Sequence, residues 1–376
     1  MGETREKDDG EGMSGTREEL TGVPGLARLV VVDRTGSTND DLRSALTGVD
    51  GRLDLRVAAA WPHISALWAR RQDAGRGRAG RRWITPPGSA LTVSFVLRPL
   101  VPAAALAWLP LLAGLAARDV VDAILISARA PWRARTKWPN DVVLVPNERA
   151  GEGTAAGAST GEGTGSGAGA AAVPVPAEIP GWGRARKVAG VLAELIPTAG
   201  GIGARTSAGT TGTADASGAV AAGAADAPGA VGAAGAPGAA GADRGAACAV
   251  VLGIGVNTGQ SESELPVPWA TSLRLAGARV EPRALLEPLS ARLDELVTAW
   301  EAGEGDPDAG DGALGAALRR ACTTLGRRVR VDAPGGVLRG TAVDIAPGLV
   351  LRGADGTMRT VDAGDVSHVR TDGAVD

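Results

Sequence analysis

Two of the chain's three lysines lie inside short motifs that could carry chemistry. The chain has 39 basic residues, and apart from Lys7, Lys137 and Lys187 all of them are arginines. An ammonium is a compact point charge, whereas a guanidinium is a planar fork. A lysine that is kept in such an arginine-rich chain therefore indicates a site where a point charge must contact an oxyanion at a fixed distance. The motifs that contain them are TKWPNDVVL at residues 136–144 and KVAGVLAEL at residues 187–195.

A glycine loop supplies further cations. Residues 71–83 read RQDAGRGRAGRRW, and the glycines have the G-x-G-x-x-G spacing of dinucleotide-binding loops. That interpretation fails, because Pro86 and Pro87 follow where a helix would have to begin. The loop could instead close over an anionic ligand, with Arg76 and Arg78 donating paired hydrogen bonds to phosphate or carboxylate oxygens. The alternative is an arginine-rich turn on the surface.

The two lysine motifs combine charge with groups that could bind or activate a ligand. Lys137, Asn140 and Asp141 place a cation, an amide and a carboxylate within five residues, and the carboxylate could hold Mg²⁺ or orient an incoming amine. A turn capped by the Asn-Asp pair is the alternative. Lys187 opens an apolar, strand-like run in which Gly190 would let a ligand approach the backbone. The alternative for Lys187 is a solvated charge at a strand end.

Two further motifs offer small polar groups. In GSTN the hydroxyls of Ser37 and Thr38 suit a small polar head group, or they cap a helix over residues 40–46. In GIGVN the glycines before Asn257 could admit a flat base, although a bulge at a strand end has the same pattern. No Ser/His/Asp, Cys/His or zinc-spaced set is visible in the sequence, so the chemistry must depend on charge and position.

Composition excludes several classes of partner. The formal net charge of -3 gives no general attraction to nucleic acid or to an anionic membrane, and no apolar run approaches the roughly 20 residues that span a bilayer. Cys248 and Cys322 lie far apart in a chain without a secretory signal, which favours reduced thiols. We therefore expect a cytoplasmic protein with no nucleic acid and no membrane among its partners.

These motifs must be positioned by a mixture of helices and strands. The alternating residues 91–97 predict a strand, and leucines at helical spacing predict a helix over residues 282–301. Another helix is predicted over residues 103–124, with a break or kink at Pro110. Together these patterns predict one α+β domain over residues 25–302.

Changes in composition predict the remaining boundaries. Residues 1–24 are polar and charged and are predicted to form a disordered tail. Two Gly/Ala-rich stretches, at about 146–184 and 198–244, interrupt strand sequence and are predicted to be disordered insertions of the α+β domain. A predicted linker at 303–315 leads to short β runs with turn signals over 316–371, a pattern typical of a small SH3-like barrel.

Five motifs in this order closely resemble the motif series of biotin protein ligases: GSTN, RQDAGRGRAGRRW, TKWPNDVVL, KVAGVLAEL and GIGVN. The resemblance covers about residues 26–144 and 186–258, and the C-terminal barrel is also as in that family. It implies a mixed-sheet catalytic domain of the biotin/lipoate ligase type. It also implies that the enzyme joins biotin to ATP, with Mg²⁺, giving biotinyl-5'-adenylate and pyrophosphate. Biotin then passes to a lysine of a biotin carboxyl carrier domain of a carboxylase.

The resemblance further implies roles for individual residues. Lys187 resembles the cation that bridges the biotin carboxylate and the α-phosphate, and Trp83 resembles the tryptophan that covers the ligand. Asp141 resembles a residue on the acceptor-lysine or metal side, and Lys187, Arg76 and Asp141 are implied to act in catalysis. The implied biotin-binding residues are Ser37, Thr38, Asn39, Gln72, Gly75, Arg76, Gly77, Arg78, Lys187 and Gly190. The implied nucleotide-binding residues are Arg76, Arg78, Trp83, Lys137, Asn140, Lys187 and Asn257.

Two alternatives stay open: a lipoate or octanoate ligase or transferase, which shares the catalytic fold, and a non-catalytic sensor of biotin or its adenylate. The GRGRAGRRW loop and KWPND favour biotin, and the presence of both motif lysines and both loop arginines favours an enzyme. Some members of the family carry an N-terminal winged helix-turn-helix, for which the polar stretch before the first predicted strand is too short. The oligomeric state, the carboxylases that are modified and the role of the insertions also stay open.

Overall fold

The computed structural model describes residues 4–7, 13–83, 85–147, 176–198 and 248–369. A mixed sheet of nine strands forms its centre, as predicted. In spatial order the strands are β1 (Thr4–Lys7), β2 (Met13–Leu20), β3 (Arg28–Thr35), β4 (Ser65–Gln72), β7 (Ala90–Leu97), β11 (Cys248–Asn257), β10 (Arg186–Pro197), β9 (Asp141–Pro146) and β8 (Trp132–Lys137). β3 and β4 pair in parallel, and the other neighbours pair antiparallel.

Helices cover both faces of this sheet. On one face α3 and α4 pack over a core that includes Phe95, Leu112 and Trp300. On the other face α1 packs, and its Leu42 and Leu46 lie in a separate core cluster. The helices are α1 (Thr38–Leu46), α2 (Leu55–Ala58), α3 (Leu109–Ser127), α4 (Pro282–Ala302) and α5 (Ala313–Ala321). The short strands β5 (Gly75–Arg76) and β6 (Arg82–Trp83) pair with each other outside the large sheet.

The apolar patterns predicted the central elements. Every residue of β7 is buried, which is expected for a strand covered on both faces, and the helix predicted over residues 282–301 is α4. At Pro110 the predicted break is a junction, because a 3-10 segment (Ala103–Trp108) ends just before α3 begins. The proline then lies in the first turn of α3, where a missing N–H loses no helical hydrogen bond.

The predicted disordered tail was wrong for residues 4–7, which form β1, and for residues 13–20. The second segment is β2, which pairs with β3, and its Glu18 is buried and forms an ion pair with Arg70 at 3.1 Å. Backbone hydrogen bonds to both neighbouring strands and charge pairs hold this polar strand without an apolar pattern, so composition alone could not reveal it. Residues 1–3 and 8–12 of the predicted tail lie outside the described residues.

The first predicted insertion extends too far at its C-terminal end. Residues 176–184 are folded, and the indole of Trp182 stacks on that of Trp269 with 5.8 Å between ring centroids. A single tryptophan has no periodicity, so the Gly/Ala-rich composition hid this contact. Residues 148–175 and 199–247, which include most of both predicted insertions, lie outside the described residues.

The predicted linker at 303–315 is folded against the large domain. The indole N–H of Trp300 donates to the carbonyl of Gly305 at 2.6 Å, and the backbone of Gly305 lies against Ala105. The acidic, glycine-rich composition therefore reflects a tight turn, and α5 already begins at Ala313 within the predicted linker.

The C-terminal part forms a second, antiparallel sheet, as predicted for an SH3-like domain. Its core contains Val329, Val331 and Leu349. In spatial order its strands are β15 (Met358–Val361), β14 (Gly348–Arg352), β13 (Gly336–Ala346), β12 (Arg328–Ala333) and β16 (Asp365–His368). Within the part of the chain that the structure describes, the two end strands do not pair, so the sheet is open. None of the described helices is both long and apolar enough to cross a membrane.

Candidate active site

A cavity of about 620 Å³ lies between the large sheet, the glycine loop and the C-terminal sheet. Fourteen of the fifteen residues that the sequence analysis selected line this cavity, and the exception is Gly75. A side chain at Gly75 would collide with the amide of Gln72, which does line the cavity, so the glycine is needed for close packing of the loop. The five motifs therefore converge on one site.

Short polar side chains form a hydrogen-bonded pocket in one part of the cavity. The backbone N–H of Thr38 donates to Oε1 of Gln72 at 2.9 Å, and the hydroxyl oxygens of Thr38 and Ser94 are 2.7 Å apart. Ser37 also caps α1, because its hydroxyl accepts a hydrogen bond from the backbone N–H of Asp40 at 3.4 Å. Helix capping and a position in the cavity wall thus occur together at Ser37.

The glycines of GIGVN make room for protein side chains. A side chain at Gly253 would collide with the amide of Asn39, and one at Gly255 would collide with the indole of Trp83. The register of β11 with both neighbours is continuous, so the motif is not a bulge. In this structure Trp83 covers Gly255, so a flat base could lie directly on this glycine only if the indole moved away.

Lys187 and Asp141 form an ion pair inside the cavity. The ammonium is 2.6 Å from Oδ1 of Asp141, and the two side chains are 23% and 15% exposed. The ammonium also lies 5.7 Å from the centre of the Trp83 ring, within the range of a cation–π contact, and close to Gly190. This geometry contradicts the alternative of a solvated charge at a strand end.

The two loop arginines have different partners. Nη1 of Arg78 donates to Oδ1 of Asn140 at 3.2 Å, and burial lowers the pKa of Arg78, although a guanidinium stays charged at neutral pH. The guanidinium of Arg76 contacts the carboxylate of Asp40 and lies 3.3 Å from Glu194. Arg78 therefore points toward the KWPND turn, while Arg76 is held by α1 and β10.

Lys137 is buried and binds the C-terminal sheet. Its ammonium donates to the backbone carbonyl of Val366 at 2.6 Å and lies 4.4 Å from the centre of the Trp182 ring. Only 5% of the residue is exposed, and burial lowers the pKa of Lys137. Asn257 is also held within the protein, because its amide donates to the carbonyl of Thr271 at 2.9 Å.

Family models match both parts of this arrangement. Residues 53–206 match the biotin/lipoate A/B protein ligase family, and residues 324–369 match the biotin protein ligase C-terminal domain. The two matched regions together make up more than half of the chain. The chain contains a catalytic domain of the biotin/lipoate A/B protein ligase family and a biotin protein ligase C-terminal domain.

Individual relatives of this ligase family are similar over different lengths. The biotin–acetyl-CoA-carboxylase ligase of Mycobacterium tuberculosis is 29% identical over 360 residues, which cover 94% of this chain and 94% of that protein. The enzyme of the same name from Paracoccus denitrificans is 38% identical over 118 residues, 31% of this chain and 42% of that protein. Among solved structures, the biotin protein ligase of Aquifex aeolicus in complex with biotin and ATP has a TM-score of 0.52 and 19% identity. The superposition covers 91% of this chain and 99% of the Aquifex aeolicus chain, and the similarity is one of fold.

The ligase site also contains residues that the sequence analysis missed. Arg81 donates two hydrogen bonds to the carboxylate of Asp365, at 2.8 and 3.1 Å, so the C-terminal sheet contacts the glycine loop. Burial alone would raise the pKa of Asp365, but the hydrogen bonds and charge of Arg81 lower it overall. Trp182 and Trp269 line the cavity as a stacked pair. The large share of tryptophan among the aromatic residues was the one signal in the sequence that could have indicated them.

Positive charge dominates the lining of the ligase cavity. The described lining residues include two carboxylates, Asp141 and Asp365, and six cations. The cations are Arg76, Arg78, Arg81, Arg82, Lys137 and Lys187. The described part of the chain contains no cluster of three or more His, Cys, Asp or Glu side chains that could hold a metal ion. The cavity is therefore suited to a polyanionic ligand.

Proposed function

We propose that the protein is an ATP-dependent biotin protein ligase. The carboxylate of biotin attacks the α-phosphorus of ATP, which releases pyrophosphate and forms biotinyl-5'-adenylate. The amine of an acceptor lysine then attacks the carbonyl carbon of this mixed anhydride, and AMP leaves as the amide forms. Neither step needs a nucleophile from the enzyme, which agrees with the absence of a recognisable nucleophile motif in the sequence.

One observation carries the proposal: a single cavity combines a neutral, hydrogen-bonding pocket with a strongly cationic region. Thr38 and Gln72 offer polar groups suited to the urea ring of biotin, and the cationic part of the lining suits a triphosphate. Lys187 carries the ammonium that would neutralise the approach of a carboxylate to a phosphate, because these two anions otherwise repel each other.

The ion pair between Lys187 and Asp141 suggests how the two half-reactions share the site. When the ligand carboxylate and phosphate take over the ammonium, the carboxylate of Asp141 loses its partner at 2.6 Å. A free carboxylate beside the adenylate could then accept a proton from the incoming lysine amine, which must be neutral to attack. Asp141 would thus serve the transfer step, whereas Lys187 would serve the adenylation step.

Mg²⁺ is proposed as a companion of ATP. Asp141 and Asp365 are the carboxylates among the described lining residues, and the described residues form no metal cluster of their own. Such a site fits an ion that is held chiefly by phosphate oxygens and water, with one protein carboxylate nearby. When bound, the ion would neutralise part of the triphosphate charge.

We propose a biotin carboxyl carrier domain of an acyl-CoA carboxylase as the acceptor. The names of the relatives from Mycobacterium tuberculosis and Paracoccus denitrificans, which are acetyl-CoA-carboxylase ligases, support this choice. We place the reaction in the cytoplasm, which fits the two described cysteines, Cys248 and Cys322, because both are free and buried.

An exchange assay tests the proposed function. The full chain is incubated with ATP, Mg²⁺ and labelled pyrophosphate, with either biotin or lipoate, and the return of label to ATP is measured. We expect exchange with biotin and little with lipoate, and subsequent labelling of a carrier domain. Exchange that depends on lipoate and not on biotin would assign the chain to the other branch of the family, and binding of biotin without any exchange would make it a sensor.

A further inference from the structure

A chain of buried hydrogen bonds connects Glu194 on β10 to Thr38 in the polar pocket. Oε2 of Glu194 accepts from Nδ2 of Asn39 at 3.0 Å, and Oδ1 of Asn39 accepts from the hydroxyl of Ser94 at 2.6 Å. The hydroxyl oxygens of Ser94 and Thr38 are 2.7 Å apart. Exposure is 5% for Asn39, 0% for Ser94 and 4% for Thr38, so water does not readily replace these partners.

The direction of each hydrogen bond follows from the carboxylate at the start of the chain. An ionised carboxylate only accepts, so the amide of Asn39 must turn its NH₂ group toward Glu194. The second proton of that NH₂ group points to the backbone carbonyl of Leu192 at 3.5 Å, which is also an acceptor. The amide oxygen of Asn39 is therefore left to face Ser94, and Gly253 leaves the space that this oxygen occupies.

The same reasoning fixes the two hydroxyls. An amide oxygen cannot donate, so the single proton of Ser94 points to Asn39. The oxygen of Ser94 then needs a donor at 2.7 Å, and Thr38 is the hydroxyl at that distance. If the Thr38 proton pointed instead to Oε1 of Gln72, at 3.2 Å, two hydroxyl oxygens without a proton between them would lie 2.7 Å apart. Thr38 therefore donates to Ser94 and presents lone pairs to the cavity.

We propose that Glu194 is a positioning residue that makes the Thr38 hydroxyl an acceptor for a ligand N–H. The inference rests on the proposed function, in which the ligand is biotin and the group at this pocket is the cyclic urea with its two N–H donors. Glu194 does not line the cavity, and it acts through Asn39 and Ser94. Its other oxygen is shared by Arg76 at 3.3 Å and Arg43 at 3.4 Å, which hold the carboxylate in place.

The consequence is a selection by hydrogen-bond direction and not by size. Consider an analogue of biotin in which a ring oxygen replaces the N–H that donates to Thr38. Its shape is nearly the same, but a lone pair of the ring oxygen would face a lone pair of the Thr38 hydroxyl. Leaving a buried polar group unpaired costs about 1–3 kcal/mol, which corresponds to roughly 5- to 150-fold in affinity. Glu194→Gln removes the constraint, because an amide at residue 194 can turn its NH₂ group toward Asn39 and reverse the whole chain.

The test compares the affinity of the full-length protein for biotin with its affinity for two cyclic carbamate analogues. In each analogue an oxygen replaces one ring N–H. Isothermal titration calorimetry is used for the unmodified protein, Glu194→Gln, Ser94→Ala and Arg43→Gln. For the unmodified protein we expect one carbamate to bind roughly 50-fold more weakly than biotin. The ratio of the two affinities should fall to about fivefold or less in Glu194→Gln. It should fall equally in Ser94→Ala, which removes the middle hydroxyl of the series of hydrogen bonds.

Arg43→Gln is the matched control, since it removes an ion pair of Glu194 and leaves the chain of hydrogen bonds intact; its ratio should stay as in the unmodified protein. Thermal unfolding confirms that each variant is folded, and the ratio of two affinities cancels any general weakening of the site. Full discrimination in both folded variants, or none in the unmodified protein, would overturn the role of Glu194 while biotin binding and the proposed function stand. Failure of the unmodified protein to bind biotin at all would overturn both.

Discussion

Lys187 and Lys137 line the same cavity, but their ammonium groups have different surroundings. Lys187 is partly exposed and pairs with the carboxylate of Asp141, a partner that a ligand anion can replace. Lys137 is 5% exposed and donates to a backbone carbonyl, that of Val366 in the C-terminal sheet, beneath the ring of Trp182. One lysine is available to a substrate, whereas the other joins two parts of the protein.

The difference separates two physical reasons for a lysine in an arginine-rich chain. At Lys187 we propose that a ligand oxyanion meets a point charge, with the ligand in the open space around the ammonium. Lys137 is buried, and a guanidinium would add volume at a packed position. An exchange of lysine for arginine should therefore affect catalysis at one site and stability at the other.

The largest effect is expected for Lys187→Arg. The charge is kept, but the planar guanidinium cannot place a single donor between the ligand carboxylate and the phosphate. The rate of biotin-dependent exchange of pyrophosphate into ATP should therefore fall by about a hundredfold or more. The free energy of unfolding should change by less than about 0.5 kcal/mol, because the site is partly exposed. Arg184→Lys, in an exposed ion pair with Glu178, is the matched exchange and should keep full activity. Near-normal exchange by Lys187→Arg would remove this lysine from the reaction.

The reverse pattern is expected for Lys137→Arg. Overpacking of a buried site typically costs about 1–3 kcal/mol, and denaturant unfolding should show a loss in that range. Lys187→Arg, measured in the same experiment, provides the comparison at a partly open site. If Lys137→Arg keeps its stability and loses adenylation, then Lys137 acts on the ligand and the distinction between the two lysines fails.

His368 lies beside Lys137 and should make the C-terminal sheet sensitive to acid. Burial, with the charges of Lys137 and Arg327, lowers the pKa of His368 to about 4, and its buried Nε2 has no hydrogen-bond partner among the described residues. The unfolded chain takes up this proton below about pH 6.5, whereas the folded protein takes it up only near pH 4. Stability is therefore full above pH 6.5 and falls as the pH drops toward 4.

Between about pH 7.5 and pH 5.5 this one group should remove roughly 1 kcal/mol of unfolding free energy. In His368→Gln the acid sensitivity should be smaller by that amount, as measured by denaturant unfolding at both pH values. Burial also lowers the pKa of His63, so part of the sensitivity should persist in the variant. An unchanged pH dependence in His368→Gln would show that the pKa of His368 is the same in the folded and the unfolded protein.

The same contrast explains how far the sequence could predict the molecule. Patterns that repeat locally, such as the buried residues of β7 and the leucines of α4, identified strands and helices. Of the fifteen site residues selected from the five motifs, fourteen lie in the cavity wall. Contacts that depend on distant partners were missed. β2 is held by β3 and Arg70, Trp182 by Trp269, and Asp365 by a loop arginine 284 residues earlier in the chain. Glu194 was missed for the same reason, because its role depends on a path through two other side chains.

The smallest effect is expected for the pair that connects the glycine loop to the C-terminal sheet. Arg81 and Asp365 are 60% and 51% exposed, so their two hydrogen bonds should contribute at most about 1 kcal/mol, and less at high salt. A double-mutant cycle with Arg81→Gln and Asp365→Asn, measured on the KM for ATP, should give a coupling of about two- to fivefold that shrinks in salt. Lys137 should couple to Asp365→Asn only through its charge, since its hydrogen bond to the Val366 carbonyl does not involve the Asp365 side chain. A coupling much larger than this, or one insensitive to salt, would mean that the C-terminal sheet controls the position of the glycine loop through Arg81 and Asp365. The buried contact between Lys137 and the Val366 carbonyl would then be the weaker connection between the C-terminal sheet and the rest of the protein.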